Sequence, residues 1–589
     1  MTGDGATDGE IGRDRPWTAH YPPDALTELA ATPYRLLGDI ARDRARQTPW
    51  RIAVTCVMPN GMAGSLSFAA VDRLSDAFAA YLREDLKLPA GERVAIQIPN
   101  GLAYPVVAFG VFKAGCILVN VNPLYTSGEM AKIFADAEPA VLVVIDMFAD
   151  KVAAALAERP AVLAEGPRPQ VVLTSAAELF PAWPRTVIGL VQTYVRRQIP
   201  PARFAHVRLA AALRAGRRHM LRRDRSAAYA EGIEPNAVAC LQYTGGTTGV
   251  SKGAMLTHRN LVMNAAQTTA FAGAHISSEE TILTALPLYH IFAFTVNFLA
   301  FYMRSGRSVL IPNPRPLTNL RKALEGQGIT FITGVNTLFN GLLNEDWFRE
   351  APPPTLRLSV AGGMALQAAV AQRWAEVTRR PIIEGYGLTE TSPVLTFNPF
   401  GAGRIGTIGV PIPLTELKCV DDAFNEVPRG EPGELAARGP QVMAGYWRRR
   451  DETALVMRGD WLLTGDIAIE DEAGFFRLVD RRKDMILVSG FNVYPNEIED
   501  VLAKLPGVKE AAVVGVPDGA AGEAPKAFVV RSDPALTAEA VRAHCKQHLT
   551  GYKVPKHVEF RDELPKSNVG KILRRELRAD PSSQVAAIP

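Results

Sequence analysis

The stretch QYTGGTTGVSKG, residues 242–253, follows an apolar run at Ala237–Leu241 that is typical of a buried strand. An apolar segment punctuated by polar residues begins at His258 and predicts a helix. Between the strand and the helix, glycines allow the backbone to turn tightly and to point its N–H groups at an anion. Hydroxyl groups add hydrogen-bond donors. We therefore predict a loop that binds a polyphosphate through Thr244, Gly245, Gly246, Thr247, Thr248, Gly249 and the positive charge of Lys252.

This loop differs from a Walker A loop, in which Gly, Lys and Ser or Thr are adjacent and the lysine opens the helix. Here Lys252 lies between Ser251 and Gly253. The alternative interpretation is a flexible linker rich in Gly, Ser and Thr. A linker requires neither the preceding strand nor the lysine, so the phosphate-binding interpretation is favoured.

Length and composition limit the class of protein. A chain of 589 residues is too long for one core and should divide into two or more domains. A hydrophobic content of 47% with 21% charged residues is ordinary for a globular protein, and a net charge of +4 does not predict a nucleic-acid partner. The five cysteines lie far apart, with no metal-binding pair and no disulfide framework, which favours a reducing cytoplasm.

Neither the polar N-terminal residues nor the longest apolar run predicts a secretory leader or a membrane-spanning helix. Residues 1–30 are predicted to be disordered, and Met1–Asp14 lacks the apolar core of a signal peptide. The longest apolar run, Ile291–Met303, is shorter than the ~20 residues that cross a bilayer. We predict a buried helix there, and the lack of spanning segments excludes a transporter.

Strand-like and helix-like segments alternate from Arg93 onward, which predicts parallel sheets covered by helices, an α/β fold. After Ile405, Gly-Pro turns and short strands predict a smaller β-rich subdomain. A charged break follows at 480–484, and beyond Lys483 the pattern becomes a compact α+β domain. We place the domain boundary at 482/483, giving a large domain over 31–482 and a small one over 483–589.

Residues 185–225 form a basic segment with eleven arginines and one acid, Asp224. Apolar residues between Val187 and Val195 precede Arg196 and Arg197. One interpretation is a basic amphipathic helix that lies on an anionic membrane, at the inner face of the cell membrane. The alternative is a solvated excursion with a basic face.

A second motif, EGYGLTETSP at 384–393, follows a strand-like Pro381–Ile383. Glycines on both sides of Tyr386 leave room for a purine to stack on the ring. Glu390 offers a hard oxygen ligand for Mg²⁺, which in proteins is bound by few carboxylates together with substrate phosphates. The alternative is a tight turn with an incidental tyrosine.

Three further motifs are weaker when each is considered alone. WLLTGD at 461–466 places Asp466 after a glycine turn, where a carboxylate can accept from ribose hydroxyls or simply end a hairpin. DRRKD at 480–484 offers Arg481 to a nucleotide or forms a charged linker. PKSNVGK at 565–571 presents Lys571 at the start of a predicted helix, although a loop lysine is ordinarily a solvated surface charge.

Together and in this order, the motifs resemble those of the adenylate-forming superfamily, and in particular bacterial long-chain fatty acid–CoA ligases. The resemblance covers residues 40–577. It is strongest at 242–260, 286–292, 333–340, 480–499 and 551–577. It implies ATP, CoA and a long-chain fatty acid as substrates, with Mg²⁺ as cofactor. It is also compatible with a homodimer, but no sequence feature determines the oligomeric state.

The resemblance also implies a role for each motif. Lys571, Lys252 and Glu390 would be catalytic, and Thr244 and Glu390 would lie at the metal. Lys483 would be the hinge of a mobile C-terminal domain, and Gly490 would line the CoA tunnel. Many relatives carry lysine where Leu487 stands, so no phosphate contact is assigned there. The implied ATP- and AMP-binding residues are the loop 244–249 with Lys252, Tyr386, Gly387, Thr389, Asp466, Arg481 and Lys571.

The chemistry explains why these residue types occur together. A carboxylate is a poor acyl donor, and ATP converts it to an acyl-AMP anhydride that the CoA thiol then attacks. Two anions must meet, so positive charges are aimed at the reacting phosphates. The anhydride must also be shielded from water.

The acyl pocket rests on apolar and aromatic segments at 287–294 and 335–339, with Tyr289, His290, Phe292 and Val335 as its predicted lining. Each buried methylene is worth ~0.8 kcal/mol, so a long apolar tunnel favours long chains. Plain core packing is the alternative for both segments, and a satisfied core histidine is the alternative for His290.

Three rival functions remain open at this point. The chain could be a medium-chain or aryl-CoA ligase, or a fatty acyl-AMP ligase, although no insertion lies between Lys483 and Gly490. It could also be an inactive lipid- or nucleotide-binding protein. The presence of Lys571, Glu390 and Lys252 argues against an inactive protein.

Overall fold

The computed structural model describes residues 15–158, 169–220, 228–244, 251–489, 491–518, 521–567 and 570–579. Within these ranges the strands, in chain order, are β1 (Ile52–Val57), β2 (Ala63–Ser67), β3 (Arg93–Gln97), β4 (Ile117–Asn120), β5 (Val141–Ile145), β6 (Gln170–Thr174), β7 (Val207–Arg208), β8 (Val238–Thr244), β9 (Lys252–Thr257), β10 (Thr281–Thr284), β11 (Arg307–Leu310), β12 (Phe331–Gly334), β13 (Leu358–Ala361), β14 (Ile382–Gly387), β15 (Val394–Phe397), β16 (Val410–Pro411), β17 (Glu416–Val420), β18 (Gly433–Arg438), β19 (Met457–Arg458), β20 (Trp461–Glu470), β21 (Phe476–Arg481), β22 (Ile486–Val488), β23 (Phe491–Val493), β24 (Val508–Asp518), β25 (Gly522–Arg531) and β26 (His557–Arg561).

The α-helices of the same ranges cover the sheets. They are Ala25–Ala30, Leu37–Gln47, Phe68–Ala80, Ala103–Lys113, Ser127–Ala137, Ala149–Ala157, Ala182–Leu190, Leu209–Met220, His258–Ala272, Phe301–Met303, Arg321–Gly326, Asn336–Asn344, Asp346–Glu350, Ala368–Thr378, Arg450–Val456, Pro495–Leu502, Ala538–His548 and Arg574–Ala579. π-helical turns at Tyr81–Asp85 and Val191–Val195 continue two of these helices, and a π-helical segment at Ala293–Ala300 precedes Phe301–Met303.

Two sheets form the large N-terminal part. One has the order β7-β6-β5-β3-β4-β8-β9 and is parallel except for β9, and the other has the order β16-β15-β14-β13-β12-β10-β11-β1-β2 with antiparallel strands at its edges. Buried aromatic rings fill the space between the covering helices, as where Phe109 lies 5.0 Å from Phe298, measured between ring centroids. Ligands of such folds bind beyond the carboxyl ends of the parallel strands.

Two smaller sheets complete the chain. The first, β17-β18-β20-β19 with β21 beside β20, is antiparallel and is the predicted β-rich part. The second, β23-β22-β25-β24 with β26 parallel to β25, packs with the helices Pro495–Leu502 and Ala538–His548. The architecture is that of a large helix-covered α/β domain followed by a small C-terminal domain, which confirms the predicted fold class. The boundary at 482/483 stays a prediction.

The turn after the phosphate loop differs from the predicted passage into a helix. The helix does begin at His258, but β9 lies before it and pairs antiparallel with β8, so that Thr244 is opposite Lys252. Strand β9 is stable because its other side also pairs, through hydrogen bonds with the segment 444–447. Lys252 therefore opens a strand rather than ending a loop.

The predicted disorder of residues 1–30 is wrong for residues 15–30. Short helices at Pro16–His20 and Ala25–Ala30 pack on the body of the protein, and Trp17 is buried. Its ring lies 6.5 Å from that of Phe476, and the hydroxyl of Tyr21 donates to the carbonyl of Pro411 at 2.8 Å. An isolated tryptophan in a polar segment gave no periodic signal for this contact.

The apolar run Ile291–Met303 is a buried helical segment, as predicted. Across the part of the chain that the structure describes, no helix combines the length and the apolar character needed to cross a membrane.

Candidate active site

Lys571 lies where the loops after several parallel strands meet. Its Cε atom is 3.3 Å from the position that a Cβ atom would take at Gly363, which follows β13 and has a φ of +80°. A side chain at this position would be strained and would meet the lysine, so glycine permits the close approach. The hydroxyl of Thr337 donates to the carbonyl of Gly570 at 3.4 Å, and that of Ser567 accepts from the backbone N–H of Lys571 at 3.1 Å. The lysine loop is thus docked on the large domain.

The charges around Lys571 come from three of the predicted site residues. Burial, and then the positive charge of Arg481, lower the pKa of Lys571 to about 8, while Asp466 and Glu390 act in the opposite direction. The Lys571 ammonium therefore interacts electrostatically with the carboxylates of Asp466 and Glu390 and with the guanidinium of Arg481. Residues far apart in the sequence thus influence one charge, and their roles stay predictions.

Asp466 contacts both Tyr386 and Arg481. The hydroxyl of Tyr386 donates to Asp466 Oδ2 at 2.7 Å, and Arg481 Nε lies 3.3 Å from Asp466 Oδ1. Asp466 lies within β20, opposite Arg481 in β21. The predicted glycine turn is instead an irregularity in the pairing of β20 with β18, and Gly465 has a φ of +75° there. Because Tyr386 belongs to β14, this hydrogen bond joins the large sheet to the β-rich part.

The EGYG motif also differs from its predicted place after a strand. Strand β14 continues through Gly387, and the short turn Thr389–Thr391 follows. Glu384 is buried and accepts from the backbone N–H of Leu366 at 3.2 Å. Burial raises the pKa of the Glu384 carboxyl to about 8.

Glu390 and Lys252 are joined through a residue that sequence analysis did not identify. The hydroxyl of Tyr446 donates to Glu390 Oε1 at 2.8 Å, and Lys252 Nζ lies 5.2 Å from the centroid of the Tyr446 ring. Lys252 Nζ is also 2.5 Å from Glu452 Oε2. The roles of Tyr446 and Glu452 were missed because their contacts depend on the pairing of residues 444–447 with β9.

Side-chain hydrogen bonds of Thr244 and Ser251 join the two ends of the phosphate loop. Ser251 Oγ donates to the carbonyl of Thr244 at 2.9 Å, and Thr244 Oγ1 donates to the carbonyl of Lys252 at 3.5 Å. The predicted residues Gly245, Gly246, Thr247, Thr248 and Gly249 lie outside the described residues, as does Gly490.

Two of the predicted acyl-pocket residues, His290 and Val335, lie beside the lysine loop, and Tyr289 and Phe292 belong to the same neighbourhood. His290 is neutral, because burial and then the charge of Lys571 lower its pKa to about 3, and its Nδ1 accepts from the N–H of Phe292 at 3.3 Å. Val335 Cγ2 is 3.3 Å from the position of a Cβ atom at Gly570. The Phe292 ring is 3.1 Å from the corresponding position at Gly362. The carbonyl of Tyr289 accepts from Gln242 Nε2 at 2.9 Å, which ties this loop to the base of the phosphate loop.

Lys483 stands between residues that are anchored to different parts of the fold. On one side Arg482 pairs with Glu434 of β18 at 2.6 Å. On the other side Asp484 pairs with Arg578 of the last helix at 3.0 Å. Burial lowers the pKa of Lys483. The hinge role of Lys483 stays a prediction.

The residues present fit a Mg²⁺ ion that arrives with a nucleotide. No group of three or more His, Cys, Asp and Glu side chains is placed to hold a metal within the described ranges. Glu390 offers one carboxylate, held by Tyr446, and Thr244 offers one hydroxyl. Such a donor set is typical of Mg²⁺, which takes its other ligands from phosphates and water.

Comparisons with known proteins agree with this geometry. The family model described as AMP-binding enzyme matches residues 41–447, and that of the AMP-binding enzyme C-terminal domain matches 497–571. A long-chain-fatty-acid–CoA ligase of Escherichia coli O6:H1 is 47% identical over 97% of this chain and 99% of its own length.

Solved structures extend the similarity. MatB from Rhodopseudomonas palustris with ATP bound has a TM-score of 0.76 and 27% identity, covering 92% of this chain and 98% of that one. The anthranilate CoA ligase AuaEII in complex with anthranoyl-AMP has a TM-score of 0.78 and 25% identity, covering 94% and 98%.

Proposed function

The chain belongs to the AMP-binding enzyme family, and on this premise we propose that it is an AMP-forming acid–thiol ligase, a long-chain fatty acid–CoA ligase. The reaction converts ATP, a long-chain fatty acid and CoA into acyl-CoA, AMP and diphosphate through an acyl-adenylate. The observation that carries the proposal is the docking of Lys571 beside Gly363, where the charges of Arg481, Asp466 and Glu390 act on it. The identity to the E. coli ligase over nearly the full chain supports the choice of substrate.

In the first half-reaction, a carboxylate oxygen of the fatty acid attacks the α-phosphorus of ATP and the bond to the bridging oxygen breaks, releasing diphosphate. The charge of Lys571 acts on His290 as well as on Arg481, Asp466 and Glu390, which supports a role in which its ammonium bridges the carboxylate and the α-phosphate. Such a preorganised positive charge acts where the transition state is most anionic. Asp466 binds the ribose hydroxyls, and Tyr386 packs against the adenine.

Lys252 holds the β- and γ-phosphates, together with the backbone of the loop 244–249. Glu390 and Thr244 would hold Mg²⁺. When bound, this ion neutralises phosphate charge and supports departure of the diphosphate. Tyr446 keeps Glu390 oriented for this contact through its 2.8 Å hydrogen bond.

In the second half-reaction, the CoA thiolate attacks the acyl carbon and AMP leaves. We assign the passage between the two steps to rotation of the small domain at Lys483. The rotation would withdraw Lys571, whose task is complete, and bring Gly490 to the pantetheine tunnel. The anchoring of Arg482 and Asp484 on opposite sides of Lys483 supports this assignment.

A panel of acids tests the proposed function. AMP release in a coupled assay should require CoA for sustained turnover, and kcat/KM for palmitate should exceed that for acetate, octanoate and benzoate by at least ~10-fold, because each buried methylene contributes ~0.8 kcal/mol. A higher kcat/KM for benzoate would replace this proposal with an aryl-CoA ligase. AMP release that is independent of CoA would indicate a fatty acyl-AMP ligase.

A contact with an anionic membrane is proposed for the surface that we call the Trp183 surface, on the helix Ala182–Leu190 and the turns Val191–Val195. Ile188 and Gln192 are buried, so these faces pack inward. The outer side carries an unusual set of exposed apolar side chains: Trp183 at 75%, Leu190 at 51%, Tyr194 at 73% and Val195 at 75%. Arg185, Arg196 and Arg197 are exposed beside them. Aromatic rings with flanking arginines are typical of helices that lie in a membrane interface.

Vesicle binding tests this contact. We expect Arg196→Ser/Arg197→Ser to weaken binding to phosphatidylglycerol vesicles by roughly 10-fold or more, since each basic residue near an anionic leaflet contributes ~1 kcal/mol. Trp183→Ser should weaken it at high salt as well, because its contribution is apolar. The control Arg46→Ser/Lys546→Ser removes two exposed charges elsewhere and should change little. Equal co-sedimentation of all four proteins would contradict the membrane contact.

A further inference from the structure

Lys252 is already paired with a carboxylate from another part of the chain. Its ammonium lies 2.5 Å from Glu452 Oε2, on the helix Arg450–Val456, and the side chains are 20% and 31% exposed. The hydrogen bond from Lys252 is the largest cause that lowers the pKa of Glu452. The pair therefore lies at the surface of the site, where an incoming anion can reach the lysine.

Tyr446 gives Lys252 a path between two anionic partners. The ammonium lies over the ring at 5.2 Å from its centroid, and the hydroxyl of the same ring bonds Glu390. A cation over an aromatic face keeps a favourable contact while it shifts sideways. Lys252 can thus move from Glu452 toward phosphates at Glu390 without leaving the ring.

Glu452 has a second cation that remains when Lys252 moves. Arg449 Nη1 lies 3.2 Å from Glu452 Oε1, and Arg449 Nη2 lies 3.5 Å from Asp136 Oδ1. The carboxylate therefore stays paired in both states. When Lys252 leaves, Glu452 keeps its ion pair with Arg449 and does not become an unpaired charge.

We propose that Glu452 is a positioning residue that stands in for the phosphates: it holds Lys252 in the empty site and yields the lysine to the β- and γ-phosphates of ATP. When the diphosphate leaves, Glu452 takes the lysine back and assists product release. The inference rests on the proposed ATP-dependent function and adds a residue to it. If Lys252 is free to bind phosphates in only a fraction of the molecules, the apparent affinity for ATP is reduced by that fraction.

Affinity measurements with Glu452→Gln test the proposal. We expect the Kd values for ATP and for inorganic diphosphate, each measured with Mg²⁺ by calorimetry, to fall by about 3–10-fold, because the competing charge is gone. The Kd for AMP should stay within ~2-fold, since AMP carries neither the β- nor the γ-phosphate. Diphosphate should become a stronger product inhibitor and kcat should fall. A residue that only stabilised the fold would not separate AMP from diphosphate in this way.

Matched variants isolate the lysine contact. Asp451→Asn removes one exposed charge from the adjacent position of the same helix and should leave all three affinities unchanged. Glu452→Ala removes the same charge with a smaller side chain and should reproduce the gains, so a poorly folded Glu452→Gln would not prevent the test. In a Lys252→Ala background, Glu452→Gln should bring no gain in diphosphate affinity.

The outcomes separate this inference from the proposed function. If wild-type protein bound neither ATP nor AMP, the proposed function itself would be wrong. If wild-type protein bound both, but loss of the Glu452 charge left the diphosphate affinity unchanged or weaker, the stand-in role would be overturned. A gain that persisted without Lys252 would overturn it too, because the charge would then act at a distance.

Discussion

Lys571→Ala is expected to reduce acyl-adenylate formation by on the order of 10²-fold or more, comparable to the loss of one electrostatic donor to a transition state. The lysine is docked beside Gly363, where the charges of Asp466, Arg481 and Glu390 act on it, and the proposed function brings the fatty-acid carboxylate and the α-phosphate to this place. The same variant should largely retain the conversion of supplied palmitoyl-AMP and CoA to palmitoyl-CoA, since that step needs no charge at the α-phosphate. Palmitate-dependent ATP–diphosphate exchange measures the first step, and thioester formation measures the second.

A neighbouring lysine provides the control for this prediction. Lys566 belongs to the same loop, but its ammonium pairs with Glu510 at 2.7 Å. Lys566→Ala should therefore leave both half-reactions within a few-fold of wild type. If Lys571→Ala remained folded and lost both activities equally, the assignment of the lysine to adenylation alone would be wrong, and with it the proposed rotation at Lys483.

Much of the fold could be predicted because its elements have strong local patterns. The predicted alternation of strand-like and helix-like segments starts at Arg93, which is also the first residue of β3. Buried parallel strands are continuous apolar runs bounded by turns, which makes them visible in the sequence. Strand β9 was not visible, because its stability comes from partners on both sides, one of them the distant segment 444–447.

The candidate site was predictable only as a set of motifs. Their order in the chain identified Lys571, Asp466, Arg481 and Glu390, and the structure brings them together. Spacing could not indicate that Tyr386 bonds Asp466, because β14 and β20 belong to different sheets. The motifs identify the candidate site residues, whereas the contacts between these residues depend on tertiary packing.

Glu452 illustrates what no local pattern contains. It is one of two neighbouring acids in the short helix Arg450–Val456, and its contact with Lys252 spans 200 positions of the chain. A Glu on the surface of such a helix is ordinarily solvated, so its pairing becomes informative only once the lysine has a function. The same holds for Tyr446, whose ring contacts the lysine and whose hydroxyl contacts Glu390.

Raising the pH should switch off the adenylation step of the free enzyme. Burial and Arg481 lower the pKa of Lys571 to about 8, so the lysine is charged below that pH and neutral above it. Since only the ammonium form can bridge carboxylate and α-phosphate, kcat/KM for diphosphate exchange should fall ~10-fold per pH unit above 8, reaching ~100-fold at pH 10. Bound substrates are anionic and favour the charged lysine, so the decline of kcat should occur at higher pH than that of kcat/KM.

Lys571→Arg separates this titration from that of a second group. Burial also raises the pKa of Glu384 to about 8, and this carboxyl would lose its proton over the same range. An arginine stays charged throughout, so the variant should have a lower rate but no decline of kcat/KM between pH 8 and 10. A decline that persisted in Lys571→Arg would assign the titration to Glu384 or another group. Because the lowered pKa arises from docking on the large domain, the pH profile reports the docked state of the lysine directly.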